Sequence, residues 1–143
     1  MANKLYPLYK QLLLGAGANL ITGTVKAVLV NTTNTDTAGT FYTQSDAHQF
    51  LSDVPAGARI GTPQTLASKT VLLGVFDADN ITFPLVGAGN NAEALVLYLD
   101  TAGADTTDPL IAYIDTATGL PVVPNGGDIT ITWSDLANKI FAL

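Results

Sequence analysis

The run Ala94 to Leu99, ALVLYL, puts apolar side chains on both faces of an extended chain. A strand exposed on one side alternates apolar with polar residues, so a run that is apolar at every position belongs inside a sheet with both faces covered. No other feature constrains the fold as much, because the rest of the chain must supply two covering layers. Leu110 to Ile114 repeats the pattern once the polar stretch Thr101 to Asp108 has broken it. Ile129, Ile131 and Trp133 then alternate with Thr130 and Thr132, as in a strand with one buried and one wet face. The shared parity predicts Trp133 in the core beside the two isoleucines.

Other elements attach to this stretch. Thr24 to Val30 reads as a strand with Val25, Ala27 and Leu29 on one face and Lys26 pointing outward. Further strands are expected at Ala58 to Thr62, at Thr65 to Phe76 with an interruption near Gly74, and at Asn80 to Leu85. Lys139 to Leu143 is expected to pair as a terminal strand, and Gly87 to Asn91 and Gly119 to Asp128 read as turns. Within an N-terminal helical segment spanning 1–17, Asn3 to Leu14 carries Leu5, Leu8, Tyr9, Leu12 and Leu13 at helical spacing. Pro7 lies near its start and Gly15 and Gly17 lie past its end. This short amphipathic helix reads as a lid on one end of the β core; the alternative is an arm that docks on a neighbouring subunit. Ser45 to Leu51 is expected to form one or two helical turns, capped by Ser45 or Asp46. Residues 31–40, NTTNTDTAGT, hold no large apolar side chain and read as a flexible surface loop. The pattern therefore predicts a mainly β, single-domain chain over 1–143. A β-sandwich or jelly-roll-like arrangement, or a small barrel, with a short N-terminal helix would satisfy it.

Charge narrows the partners. Only 13% of residues are charged, and twelve acids against six bases leave a net charge of −6. The bases Lys4, Lys10, Lys26, Arg59, Lys69 and Lys139 are scattered singly, so no basic stripe tracks successive phosphates and direct nucleic-acid binding is not expected. A surface poor in charge and rich in Thr and Ala loses little hydration when it meets a partner, which hints at assembly. With no cysteine there are no disulfides or thiolate metal sites, and this suits a reducing cytoplasm. No apolar run approaches the roughly 20 residues that cross a bilayer, and no signal-peptide pattern opens the sequence. No membrane partner and no secretion by the usual route are expected.

No residue is assigned a catalytic, cofactor-binding or metal-binding role. His48, the sole histidine, lacks a G-x-S-x-G nucleophile sequence, and Ser45 and Ser52 sit in capping contexts, so His48 reads as structural or solvent-facing. Glu93, the sole glutamate, stands at the mouth of the central strand and reads as a charged strand start; as a catalytic acid it would need a second carboxylate across a cleft. Asp77-Ala78-Asp79-Asn80 spaces oxygens as a calcium loop does, but without the glycine and distal Glu of an EF-hand it reads as a turn. Gly87-Ala88-Gly89 lacks the Lys-Ser/Thr of a phosphate loop. Asn31-Thr32-Thr33 and Asn80-Ile81-Thr82 match the glycosylation sequon, which matters only in a secreted chain. Tyr98, Tyr113 and Trp133 read as core; Tyr42, Tyr98 or Tyr113 on one open groove would instead point to a glycan-binding module.

The segments SDAHQFLSDVPAGARI, KTVLLGVFDADNITF, EALVLYLDT and PLIAYIDTATGLPVVPNGGDITITW, followed by ANKIFAL, resemble a family of small structural proteins of tailed bacteriophages. The opening ANKLYPLYKQLLLGAGANL is similar to the start of those proteins. Relatives carry a shorter segment at Asn31 to Thr40 and Asp-Asn-Gly where this chain has Ser134-Asp135-Leu136. The resemblance implies a non-enzymatic virion component, assembled in the host cytoplasm. Its expected role is a head decoration, or cement, protein that bridges major capsid subunits as a homo-oligomer, a trimer or dimer. The runner-up is a tail-tube or head-to-tail connector component. Ala2 to Leu14 and Asn31 to Thr40 are the expected contact elements.

Overall fold

The computed structural model describes residues 3–33 and 40–143. Most of the expected flexible loop, residues 34–39, thus lies outside the described residues, as does Ala2 of the expected N-terminal contact element. In chain order the elements are β1 (Lys4–Leu5), α1 (Pro7–Leu14), β2 (Thr24–Val30), β3 (Arg59–Thr65), β4 (Thr70–Leu72), β5 (Val75–Asp77), β6 (Ile81–Phe83), β7 (Ala94–Asp100), β8 (Leu110–Ile114), β9 (Ile129–Ile131) and β10 (Phe141–Ala142). Short 3-10 turns lie at Leu51–Asp53, Ala56–Ala58 and Asp105–Thr107. The strands form three antiparallel sheets, ordered β1-β8-β7-β2-β3, β10-β5-β4 and β6-β9. The fold is mainly β with one short N-terminal helix, and among the described residues no closed barrel forms.

β7 is the middle strand of the five-stranded sheet, and Ala94 to Tyr98 are all buried, as its two-sided apolar run requires. The registers place Val25, Ala27, Leu29, Leu95, Leu97, Ala112 and Ile114 on one face and Val28, Val30, Ala94, Val96, Tyr98 and Tyr113 on the other. Both faces belong to one buried cluster, which also holds Phe76, Phe83, Ile129, Ile131 and Trp133, contributed by or next to the two small sheets. Residues 40–58, a stretch with almost no regular structure, meet the second face at Tyr113 and add Tyr42, Leu51, Val54 and Ala58 to the cluster. Tyr42 sets its ring 6.3 Å from that of Tyr113. Further along, Leu51 N–H donates to Asp108 O and Leu110 N–H to Gln49 O, each at 2.9 Å. Full burial of each large aliphatic side chain on β7 contributes about 1.5–3 kcal/mol.

Several elements depart from expectation. The helix does not begin at Asn3: Lys4 and Leu5 pair with Tyr113 and Ala112, and the helix starts at Pro7. Proline crowds the residue before it out of the helical region, and Tyr6 accordingly sits extended at φ −67° and ψ 132°. Val28 and Val30 are buried beside Val25, Ala27 and Leu29, so β2 is covered on both faces. Lys26, expected to point freely outward, is half-buried against Asp100 with Nζ 2.5 Å from Oδ2. The helical turns expected at Ser45 to Leu51 reduce to one hydrogen-bonded turn, His48 N–H to Ser45 O at 3.2 Å, then an extended Phe50 bridged to Pro109, and 3-10 turns from Leu51 on. There the Asp53 carboxylate accepts from Gln49 N–H at 2.7 Å and Phe50 N–H at 2.9 Å, a local competitor to helix. Of the strand expected from Thr65 to Phe76, Thr65 closes β3 and the rest forms the β4–β5 hairpin, with the expected interruption near Gly74 as its turn and a further break at 66–69. β9 stops at Ile131, and Trp133 N–H turns instead to Asn80 Oδ1 at 2.9 Å.

Candidate functional site

Each polar residue singled out in the sequence is absorbed locally. Asp77 Oδ1 accepts from Ala78 N–H at 2.9 Å, and Asp79 Oδ2 from Ser68 Oγ at 2.6 Å. Asp79 O and Asn80 Oδ1 take the indole N–H and the backbone N–H of Trp133, both at 2.9 Å. The turn thus ties Trp133 into the core, and among the described residues no group of three acids or histidines is placed to hold a metal. A methyl group added at Gly87 or Gly89 would meet nothing within 4 Å, so these glycines cradle nothing within the chain. Asn31 is fully buried, donating to Thr40 O and accepting from Thr33 N–H, which leaves no room for a glycan.

His48 closes a hydrogen-bonded chain that the sequence did not announce. Its Nδ1 lies 3.0 Å from the Tyr42 hydroxyl, which lies 2.6 Å from that of Tyr6. The two tyrosines are essentially inaccessible. Burial pushes the Tyr6 phenol far up, with Tyr42 adding to it, and raises Tyr42 to about 12 against the opposing bond from Tyr6. Both hydroxyls therefore stay protonated, so the chain is a structural strut between the segment before α1 and the covering segment.

Glu93, Asp115, Tyr42 and Tyr113 line one cleft of about 390 Å³, the place where two carboxylates or an aromatic platform would be sought. Neither role fits. Tyr42 and Tyr113 are 1% and 4% exposed and show no open ring face to a sugar. Burial alone would raise the Glu93 pKa, but Thr33 Oγ1 at 2.6 Å, Thr32 N–H at 2.7 Å and Thr32 Oγ1 at 3.0 Å outweigh it and hold the carboxyl below its usual value. A general acid needs the opposite shift. Glu93 instead clamps the chain where it leaves β2. Because its folded pKa is depressed, this stabilisation is present above the unfolded value of 4.5 and lost as pH falls through the folded value. Glu93→Gln should lower stability by about 1 kcal/mol at neutral pH, the modest figure reflecting partial solvent access. The difference from the parent should vanish in acid, as chemical denaturation across pH would show.

The surface that remains unaccounted for is apolar. Leu72, Leu73 and Leu143 are 72%, 94% and 68% exposed, and Leu14 at the end of α1 is 89% exposed. Beside them runs a groove of about 250 Å³ floored by Leu13, Leu20, Phe76 and Phe141, and no charged side chain lines it. The β4 edge itself is exposed at all three residues. At the hairpin tip, Leu72 pairs with Val75 across a two-residue turn in which Leu73 and Gly74 have φ of 51° and 80°. Two left-handed residues make the mirror-image turn that hairpins favour, and Asn-Gly satisfies it best. A leucine there is strained and gains no burial within the chain. The sequence signal was the run Val71-Leu72-Leu73, whose third apolar residue belongs to no buried face once Gly74 turns the chain. No protein-family model matches this chain, and no curated protein matches it.

Proposed function

We propose that the chain is a non-enzymatic structural protein of a tailed-phage virion, a head decoration protein that binds across major capsid subunits through its exposed apolar hairpin. The single observation that carries this reading is Leu73, 94% exposed in a left-handed turn position. A residue that weakens its own fold and contributes nothing to the core is explained by burial in a partner. The family resemblance supplies the partner's class. The groove beside the hairpin supports the same reading, because no charged side chain lines it and docking there strips none of water. The C-terminal end of α1 adds Leu13 to this surface, so the N-terminal segment enters the contact through its last turn. Decoration of this kind stabilises the shell by mass action, favouring the lattice that binds it best. A homo-oligomer, a trimer or dimer matching the symmetry of capsid junctions, would cover the β4 edge as well.

Purified protein added to undecorated heads should bind to saturation and raise their heat resistance. Leu73→Asn supplies the sharper test: asparagine suits the left-handed turn, so the isolated chain should gain about 0.5–1 kcal/mol. Affinity for heads should fall about tenfold through loss of one buried leucine contact. A variant both more stable and poorer at binding separates the two roles. Unchanged head binding would remove the hairpin from the contact, and protein found stacked along tails would replace the decoration reading with the tube or connector one.

A further inference from the structure

A second surface has different chemistry. β1 is the outer strand of the five-stranded sheet and β10 the outer strand of the three-stranded one. Both border a cleft of about 730 Å³. Tyr6 N–H donates to Ile111 O, so by the two-residue period of a ladder the N–H and C=O of Leu5 point away from β8. On the opposite wall, Leu143 N–H donates to Gly74 O and Phe141 pairs with Phe76, which turns the N–H and C=O of Ala142 away from β5. Two sheet edges therefore offer unused main-chain groups to one cleft. Its lining mixes the apolar side chains of Leu5 and Phe141, both partly exposed, with the polar ones of Asn3, Thr116, Ser134 and Asn138.

Its charge is also distinctive. Lys4, Lys10 and Lys139, half of the chain's six bases, line this cleft, and no carboxylate does, although acids outnumber bases two to one overall. Lys4 is paired with Asp46 at 2.5 Å, and Lys139 lies 3.8 Å from Asp77 and from Asp135. Lys10, exposed on α1, makes no contact ion pair among the described residues and only a longer-range charge interaction with Asp46.

We infer that this cleft binds an extended segment of a partner protein in which apolar and acidic residues alternate. An added strand would pair with the open main-chain groups of Leu5 or Ala142. Its period of two would then send apolar side chains toward Leu5 and Phe141 and carboxylates toward the lysines, Lys10 above all. A nucleic acid would satisfy the lysines but not the strand edges, nor Leu5 and Phe141. The inference goes beyond the head-decoration reading and does not rest on it, since it involves another surface and is tested without heads.

The probe is a capped, fluorescently labelled eight-residue peptide alternating glutamate and valine, titrated against the full chain and followed by anisotropy. It should bind, and its lysine-valine counterpart should bind at least about tenfold more weakly because its charges meet like charges. A version N-methylated at alternate residues, which cannot donate to a sheet edge, should lose about tenfold or more. Lys10→Glu reverses an exposed charge that makes no contact ion pair and should weaken the parent peptide about threefold to tenfold. Ala142→Pro removes only an outward N–H on an edge strand and should do likewise. Circular dichroism of both variants should match the parent chain. No binding, equal binding of the lysine and N-methylated peptides, or displacement by a single-stranded oligonucleotide of equal charge would each overturn the inference.

Discussion

Above about pH 10 the protein should unfold in one steep step rather than titrate gradually. All five tyrosines are buried. Burial raises each phenol: Tyr9, Tyr42 and Tyr98 to about 12, Tyr6 further, and Tyr113 in the same direction. The unfolded chain releases these protons near the ordinary value of 10.0, whereas the folded chain holds them. Groups with a raised folded pKa contribute stability that is complete below the unfolded value and lost as pH rises through the folded one. Each such phenol removes about 1.4 kcal/mol per pH unit in that window. Against a total of roughly 5–15 kcal/mol, Tyr6, Tyr9, Tyr42 and Tyr98 acting together should unfold the chain within about two pH units, with Tyr113 adding in the same direction. Tyrosinate absorbance and loss of near-ultraviolet circular dichroism should then coincide. Phenolates appearing near pH 10 with the dichroism intact would show that the tyrosines are accessible to base in the native state.

Trp133→Ala should produce the largest loss from a single substitution, about 3–5 kcal/mol. The indole is 5% exposed and lies in the same cluster as Ile129 and Ile131, and its N–H donates to Asp79 O at 2.9 Å. Truncation removes the packing and leaves that carbonyl without its donor. Thermal unfolding should fall by about 10 °C or more. Trp133→Phe keeps most of the apolar volume and should lose only about 1–2 kcal/mol, the share of the hydrogen bond and its unsatisfied partner. Because Trp133 is the sole tryptophan, native emission reports this site alone and should be blue-shifted until unfolding. A native spectrum typical of water-exposed indole would place the ring outside the core.

The turn that binds Trp133 shows how one set of residues can resemble a site without being one. Asp77, Asp79 and Asn80 have the spacing of oxygen ligands, yet their oxygens face Ala78, Ser68 and Trp133. Glu93 and Asp115 likewise share a cleft, but the threonines at the end of β2 hold Glu93 ionised. The candidate contact surfaces instead combine apolar area with open strand edges, features that need no conspicuous residue.

What the sequence determined by itself was local periodicity. Ala94–Asp100 and Leu110–Ile114 are strands because every position is apolar or can be covered, and Ile129 to Trp133 buries alternate residues because threonine occupies the other face. The end of α1 was legible at Gly15; its start was displaced because Pro7 forces Tyr6 to be extended, which frees Lys4 and Leu5 to pair with β8. Tertiary structure alone decided what meets the second face of the main sheet at Tyr113, since residues 40–58 carry no period that advertises burial. It also brought Tyr6 to Tyr42 and Glu93 to Thr32 across 36 and 61 positions, distances over which a pattern in the chain carries no information. Which strands lie at the edges follows from the order of the sheets, not from the composition of β1 or β10. Both proposed contact surfaces depend on those edges, and a free edge exists only once every other strand has found its neighbour.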